Sequence, residues 1–158
     1  MDKFSALKYY YGYDTFKEGQ AEVIDQFLDG RDALCIMPTG AGKSVCYQIP
    51  ALLQSGTTIV VSPLISLMKD QVNTLLQMDI SAAYINSSLS LQEYRETLRE
   101  MKQNGYRIVY VAPERLHSEA FLKVCSQIQI PFLAVDEAHC ISQWGQDFRP
   151  SYLTIRDF

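Results

Sequence analysis

Eight residues, Met37-Pro38-Thr39-Gly40-Ala41-Gly42-Lys43-Ser44, constrain this chain more than any other stretch. The apolar run Ala33-Leu34-Cys35-Ile36 leads into them, and Val45-Cys46-Tyr47-Gln48-Ile49 continues as a helix. Strand, glycine-rich turn and helix start form the context in which a loop binds phosphate. Gly40 and Gly42 have no side chains to keep backbone N–H groups away from an anion. The helix that starts near Gly42 and Lys43 aims its open N–H groups and positive dipole end at the same point. Lys43 is a compact cation for the outer phosphates, and the Ser44 hydroxyl suits magnesium. Thr39, Gly40, Ala41, Gly42, Lys43 and Ser44 are therefore the expected nucleotide-binding loop. Met37 departs from the generic pattern, which has its first glycine there. The competing explanation is a chance Gly-rich turn before an ordinary helix.

A chain of 158 residues has the size of one domain with a real core. Its 47% apolar and 20% charged content is that of a globular protein. No apolar run approaches the roughly 18 residues of a membrane span, and the first residues lack the apolar core of a secretory signal. Cys35, Cys46, Cys125 and Cys140 have no C-x-x-C spacing, so neither zinc nor a disulfide framework is indicated. Scattered thiols in a chain without a signal fit a reducing cytoplasm. The net charge of −4 speaks against a broad basic face, so any nucleic-acid contact must be local.

Residues 4–17 are rich in aromatics, with Phe4, Leu7, Tyr10 and Tyr11 at helical spacing. Tyr13, Lys17 and Gln20 lead into a helix that stops at Gly30. A glutamine amide pairs in bidentate fashion with adenine N6 and N7, and a tyrosine face stacks on the base. Pro50 is expected to end or kink the helix after the phosphate loop, and Gly56 closes the connection. Residues 57–62 read as a buried strand. Pro63 opens a helix with Leu64, Leu67, Met68, Val72, Leu75 and Leu76 on one face. The turn carrying Ser62 and Ser66 offers hydroxyls and N–H groups to a phosphate backbone, although capping is the simpler role. Residues 82–85 are a short strand. Ser90 and Glu93 form a capping box for a helix that turns Leu91, Tyr94, Leu98 and Met101 inward and stops at Gly105. A strand at 106–111, a helix near 118–127 and a strand at 132–136 complete the chain. The alternation predicts a three-layer α/β fold with a mostly parallel sheet, its strands near 33–37, 57–62, 82–85, 106–111 and 132–136.

The last strand delivers Asp136-Glu137-Ala138-His139 at its C-terminal end, where open α/β sheets place their ligand chemistry. A carboxylate there holds magnesium, and a second orients and deprotonates the attacking water. Asp136 takes the metal and Glu137 the water. Such a pair in a loop is often just solvated surface, but its place after an apolar strand and a phosphate loop favours hydrolysis.

Met37–Ser44 and Asp136–His139 together resemble the first nucleotide-binding lobe of a superfamily 2 helicase. Tyr11-Gly12-Tyr13-Asp14-Thr15-Phe16-Lys17-Glu18-Gly19-Gln20, Val61–Gln71 and Val111–Leu116 are similar to successive motifs of RecQ-family DNA helicases. The run from Asp136 to Pro150 resembles that family's acidic motif joined to its aromatic-rich loop, here residues 139–152. The resemblance covers almost all of 1–158 and implies a RecA-like lobe of an ATP-dependent helicase that translocates 3′ to 5′. It implies that Tyr13 stacks on adenine, Lys17 lies near the base or phosphates, and Gln20 reads the adenine edge, making 1–20 an adenine-recognition segment. It assigns single-strand backbone contacts to Ser62 and Ser66, and DNA sensing to Trp144, Phe148 and Arg149. ATP and Mg2+ are the implied cofactors, and single-stranded or junction DNA the implied partner.

Three departures stand out. Lys17 and Glu18 occupy the family's usual Arg-Pro, and Gln146 replaces the loop's histidine. The chain also lacks the family's later motifs, its second lobe and a central strand of the first. That predicts open backbone groups beside the gap, and an element borrowed from another copy would fill it. The rival readings are another P-loop enzyme such as a small kinase, which leaves residues 144–149 without a role, and a non-catalytic interaction module.

Overall fold

The computed structural model describes residues 1–38 and 42–158. These fall into two compact units, Met1–Ser55 and Gly56–Phe158. Among the described residues, no helix is long and apolar enough to cross a membrane.

The first unit is helical. Helix α1, Lys3–Ala6, is capped by the Asp2 carboxylate, which accepts the Ser5 N–H at 2.7 Å. That hydrogen bond holds the Asp2 carboxyl below the usual carboxylate range. A π-helical turn, Leu7–Tyr11, continues α1 until Gly12 takes a left-handed conformation. Helices α2, Gln20–Leu28, and α3, Lys43–Leu53, follow. Ala6, Leu7, Ile24, Val45 and Ile49 form the core, with Tyr10, Tyr11 and Phe16 packed on it. The Tyr11 hydroxyl donates to the Gln48 Oε1 at 2.6 Å, so the buried amide does not lie orphaned.

One expectation is narrowed in this unit and another fails. Pro50 does not end α3, which continues to Leu53. Every residue from Val45 to Ala51 is buried, and that packing offsets the ~3 kcal/mol penalty of an interior proline. Residues 33–37 form no strand, and Leu34 and Ile36 are 80% and 88% exposed. An apolar run becomes a strand only where a neighbour receives its N–H and C=O groups, and no described segment pairs with this one.

The second unit carries the predicted parallel sheet, with β1 Thr58–Val61, β2 Ala82–Ile85, β3 Ile108–Val111 and β4 Leu133–Val135. The order is β2-β3-β1-β4 and every pairing is parallel. The two inner strands are buried throughout, as β-branched runs without alternation require. Helices α4 Ile65–Gln77, α5 Leu91–Lys102 and α6 Glu119–Cys125 supply the crossovers that parallel strands need. Ile59, Val61, Ile85, Met101, Val109, Val111, Phe121 and Tyr152 are among the buried residues of its core.

The capping box at Ser90 and Glu93 forms as expected. Leu91, expected inward, is 63% exposed although it shares a helix face with the buried Leu98 two turns on, because the whole first turn of α5, residues 91–93, is uncovered. The stop of α5 is built by Asn104 in the left-handed region (φ 57°), which lets the Gly105 N–H reach the Glu100 carbonyl at 2.9 Å. Asp79 ends α4 the same way, with the Ile80 N–H on the Leu75 carbonyl at 2.9 Å.

Thr58 is fully buried in β1, and its hydroxyl is the buried side-chain polar atom that lacks a partner among the described residues. Thr58→Val keeps the shape and β-branching and removes an unpaired hydroxyl. It is expected to stabilise the fold by about 1–2 kcal/mol, read as a higher urea midpoint.

Candidate functional site

In the first unit, α3 starts at Lys43 behind Gly42, whose φ of 77° lies in the left-handed region. The conformation favours glycine, and a Cβ at Gly42 would sit 2.6 Å from the Gln20 Nε2 and push that amide aside. Thr39, Gly40 and Ala41 lie outside the described residues. Lys43 is exposed at the helix start, and Ser44 is half-buried one residue on. The positive end of the helix dipole therefore coincides with a cation and a hydroxyl, an arrangement that attracts anions.

Gln20 is 4% exposed at the start of α2. Its Oε1 accepts the Lys17 N–H at 2.8 Å, and its Nε2 donates to the Gly42 carbonyl at 3.0 Å. The amide thus ties the segment before α2 to the backbone of the phosphate loop. Spacing had marked Gln20 as a base reader; this strut function was not visible in it. Tyr13 is 60% exposed and Lys17 is exposed nearby in sequence.

In the second unit, the Asp136 N–H donates to the Val61 carbonyl at 2.8 Å, which carries the β1–β4 pairing one residue beyond β4. Glu137 then adopts φ 54°, ψ 42°. A left-handed glutamate costs roughly 1–3 kcal/mol and marks a place where side-chain direction outweighs backbone comfort. The Asp136 Oδ1 accepts the Glu137 N–H at 3.0 Å. The buried Tyr152 hydroxyl donates to the Asp136 carbonyl at 2.8 Å and pins the turn from behind. Burial first, and the neighbouring acidic groups after it, push the Tyr152 phenol well above its ordinary range, so it stays a donor.

His139 faces two carboxylates: Nδ1 lies 3.4 Å from the Glu137 Oε2, and Nε2 lies 3.4 Å from the Asp147 Oδ2. The Arg149 N–H donates to the Cys140 carbonyl at 3.0 Å and closes the loop between them. Trp144, in this loop, is 97% exposed, Phe148 is half-buried and Arg149 is exposed. Ser62 is buried at the end of β1, and its N–H pairs with the Val111 carbonyl at 3.1 Å. Ser66 is exposed in the first turn of α4, and neither serine caps that helix. Tyr152, His139 and Asp147 carried no signal beyond lying in or near the aromatic-rich run.

Ser44 in the first unit and Asp136 in the second each carry a hard oxygen of the kind magnesium takes, and no group of three or more His, Cys, Asp or Glu among the described residues could cage a metal. Magnesium is commonly held by one or two carboxylates, with phosphates and water completing its shell. Two of the thiols are unsuited to nucleophilic chemistry. Burial pushes the Cys46 thiol up to about 12 and the Cys125 thiol up to about 11, and protonated thiols are poor nucleophiles.

Comparison with known proteins follows the same lines. The chain is 56% identical to the ATP-dependent DNA helicase RecQ of Bacillus subtilis (strain 168), covering 96% of this chain and 26% of that protein. It is 45% identical to the ATP-dependent DNA helicase Q5 of Mus musculus, of which it spans 16%. It is also similar to the crystal structure of a hypothetical ATP-dependent RNA helicase from Sulfolobus tokodaii. That likeness has a TM-score of 0.64 at 25% identity, over 88% of this chain and 42% of the other. The chain thus spans about a quarter or less of the two curated relatives named here. The DEAD/DEAH box helicase model matches residues 17–158, and the chain belongs to that family.

Proposed function

We propose that this chain is the nucleotide-binding lobe of a RecQ-like DNA helicase that couples ATP hydrolysis to 3′–5′ translocation and unwinding. The observation that carries the reading is the Gln20 amide, held between the Lys17 N–H and the Gly42 carbonyl. One side chain thereby joins a base-recognition segment to a phosphate loop. In this reading Tyr13 stacks on adenine, Lys17 lies beside it, and Gln20 orients its edge. Residues 39–44 cradle the phosphates, Lys43 neutralises their charge, and Ser44 and Asp136 are the magnesium ligands. Magnesium supplies charge neutralisation at the phosphoryl oxygens. Glu137 orients the attacking water and takes its proton. Trp144, Phe148 and Arg149 contact single-stranded DNA by stacking, worth about 1–3 kcal/mol per base without sequence preference. Hydrolysis and unwinding require a second lobe that supplies an arginine to the developing charge, so the chain alone binds ATP weakly and unwinds nothing.

Titration with fluorescent ATP and GTP analogues in the presence of magnesium tests this. ATP is expected to bind better than GTP. Lys43→Ala and Gln20→Ala are each expected to weaken ATP by about tenfold, or 1.4 kcal/mol. Equal affinity for ATP and GTP would remove the role of Gln20. No nucleotide binding would leave a non-catalytic interaction module.

A further inference from the structure

We infer that the sulfurs of Cys35, Met37 and Cys46, all in the first unit, form a binding site for a soft monovalent cation of the copper(I) class. The Cys46 thiol donates to the Met37 Sδ at 3.9 Å and is also in side-chain contact with Cys35. Two sulfurs at that separation can share one ion at bonds of about 2.3 Å, the length of a zinc–thiolate bond, with an angle of about 115° between them. That angle is close to trigonal, which leaves the third corner to the other thiol.

The pattern of burial explains why the three meet. Exposure alternates along the segment before the phosphate loop: Leu34 and Ile36 are exposed, whereas Cys35 and Met37 are half-buried. Residues two apart share a side of an extended chain, and this side meets Cys46 in the first turn of α3. Hydrophobic burial alone favours the opposite choice, with leucine and isoleucine turned inward. Gly19 leaves room behind the thioether, since a Cβ there would sit 3.4 Å from the Met37 Cε. Cys46 is buried, and the two half-buried partners give an ion its way in.

The donors decide the class of ion. Thiolates and thioethers are soft ligands and select copper(I). Structural zinc takes four ligands from Cys, His and carboxylates, and no group of three or more such residues exists among the described residues. On binding, each thiol releases its proton to water and gives a lone pair to the ion, whose oxidation state does not change. Cys35 and Met37 enter the phosphate loop and Cys46 leaves it, so a bound ion ties the two ends of the loop together.

Anaerobic titration with copper(I) supplied as its coloured bicinchoninate complex tests the site. The chain is expected to withdraw a single equivalent of copper, and X-ray absorption is expected to show sulfur neighbours alone. Met37→Leu conserves side-chain volume, so its metal-free melting temperature is expected to match the parent. Its affinity for copper(I) is expected to fall about tenfold, and that of Cys35→Ala further still. Cys125→Ala, in the second unit, is expected to leave the affinity unchanged. Excess zinc is expected not to displace the copper. Parental affinity in Met37→Leu or in Cys35→Ala would overturn the three-sulfur site. So would nitrogen or oxygen neighbours at the metal, or an equal loss in Cys125→Ala, the mark of adventitious thiol binding. Displacement by zinc would overturn the assignment to a soft ion. None of these measurements depends on nucleotide binding.

Discussion

Glu137→Gln in the full-length protein is expected to lower ATP turnover by about 10²–10⁴-fold, the range of a lost general base, with nucleotide affinity nearly unchanged. Glutamine keeps the size of the side chain and the ability to hydrogen-bond water, but cannot accept its proton. The backbone provides an independent control. Because Glu137 is held at φ 54°, Glu137→Gly is expected to raise the stability of the lobe by about 1 kcal/mol while abolishing turnover. Opposite signs for stability and activity at one position would identify strain kept for function. Turnover in Glu137→Gln equal to that of the parent would remove Glu137 from the chemistry. A loss of stability in Glu137→Gly would show that the turn is held by the side chain and not in spite of it.

Gly56→Ala is expected to be the most damaging small substitution in the second unit, costing about 3 kcal/mol or more. Two causes add. The residue has φ 100°, a conformation that L side chains rarely adopt, and an added Cβ would run into the Gln129 carbonyl oxygen. That oxygen cannot retreat cheaply, because it accepts the Thr57 N–H at 2.9 Å at the entry to β1. Urea unfolding should show a lower midpoint with an unchanged slope, the mark of lost stability without altered compactness. A midpoint equal to that of the parent would mean that the turn relaxes around the methyl group.

Much of the architecture was legible in the chain. The runs at 57–62, 82–85, 106–111 and 132–136 become the four parallel strands, the second over its full length and the others trimmed. The Ser90–Glu93 box and the Gly30 stop are local chemistry, fixed by neighbouring residues, so they could be read without a fold. Errors arose where the outcome depends on distant partners. Residues 33–37 have a strand's composition but no ladder. Pro50 breaks a helix in isolation, yet here it is buried with its neighbours. Leu91 is apolar and in phase, but faces outward.

The site divides in the same way. The sequence by itself determined which groups are present and in what order: glycines before Lys43 and Ser44, an apolar strand before Asp136 and Glu137, and an aromatic loop after them. Periodicity, turn chemistry and residue type are local properties, and they suffice for elements and motifs. Only the tertiary structure decided that Gln20 braces the Gly42 carbonyl, that Tyr152 pins Asp136 from behind, and that Asp147 returns to His139. Each of these contacts joins residues that spacing leaves unrelated. Whether they meet is set by how buried strands and helices close on one another, which no single stretch of sequence contains.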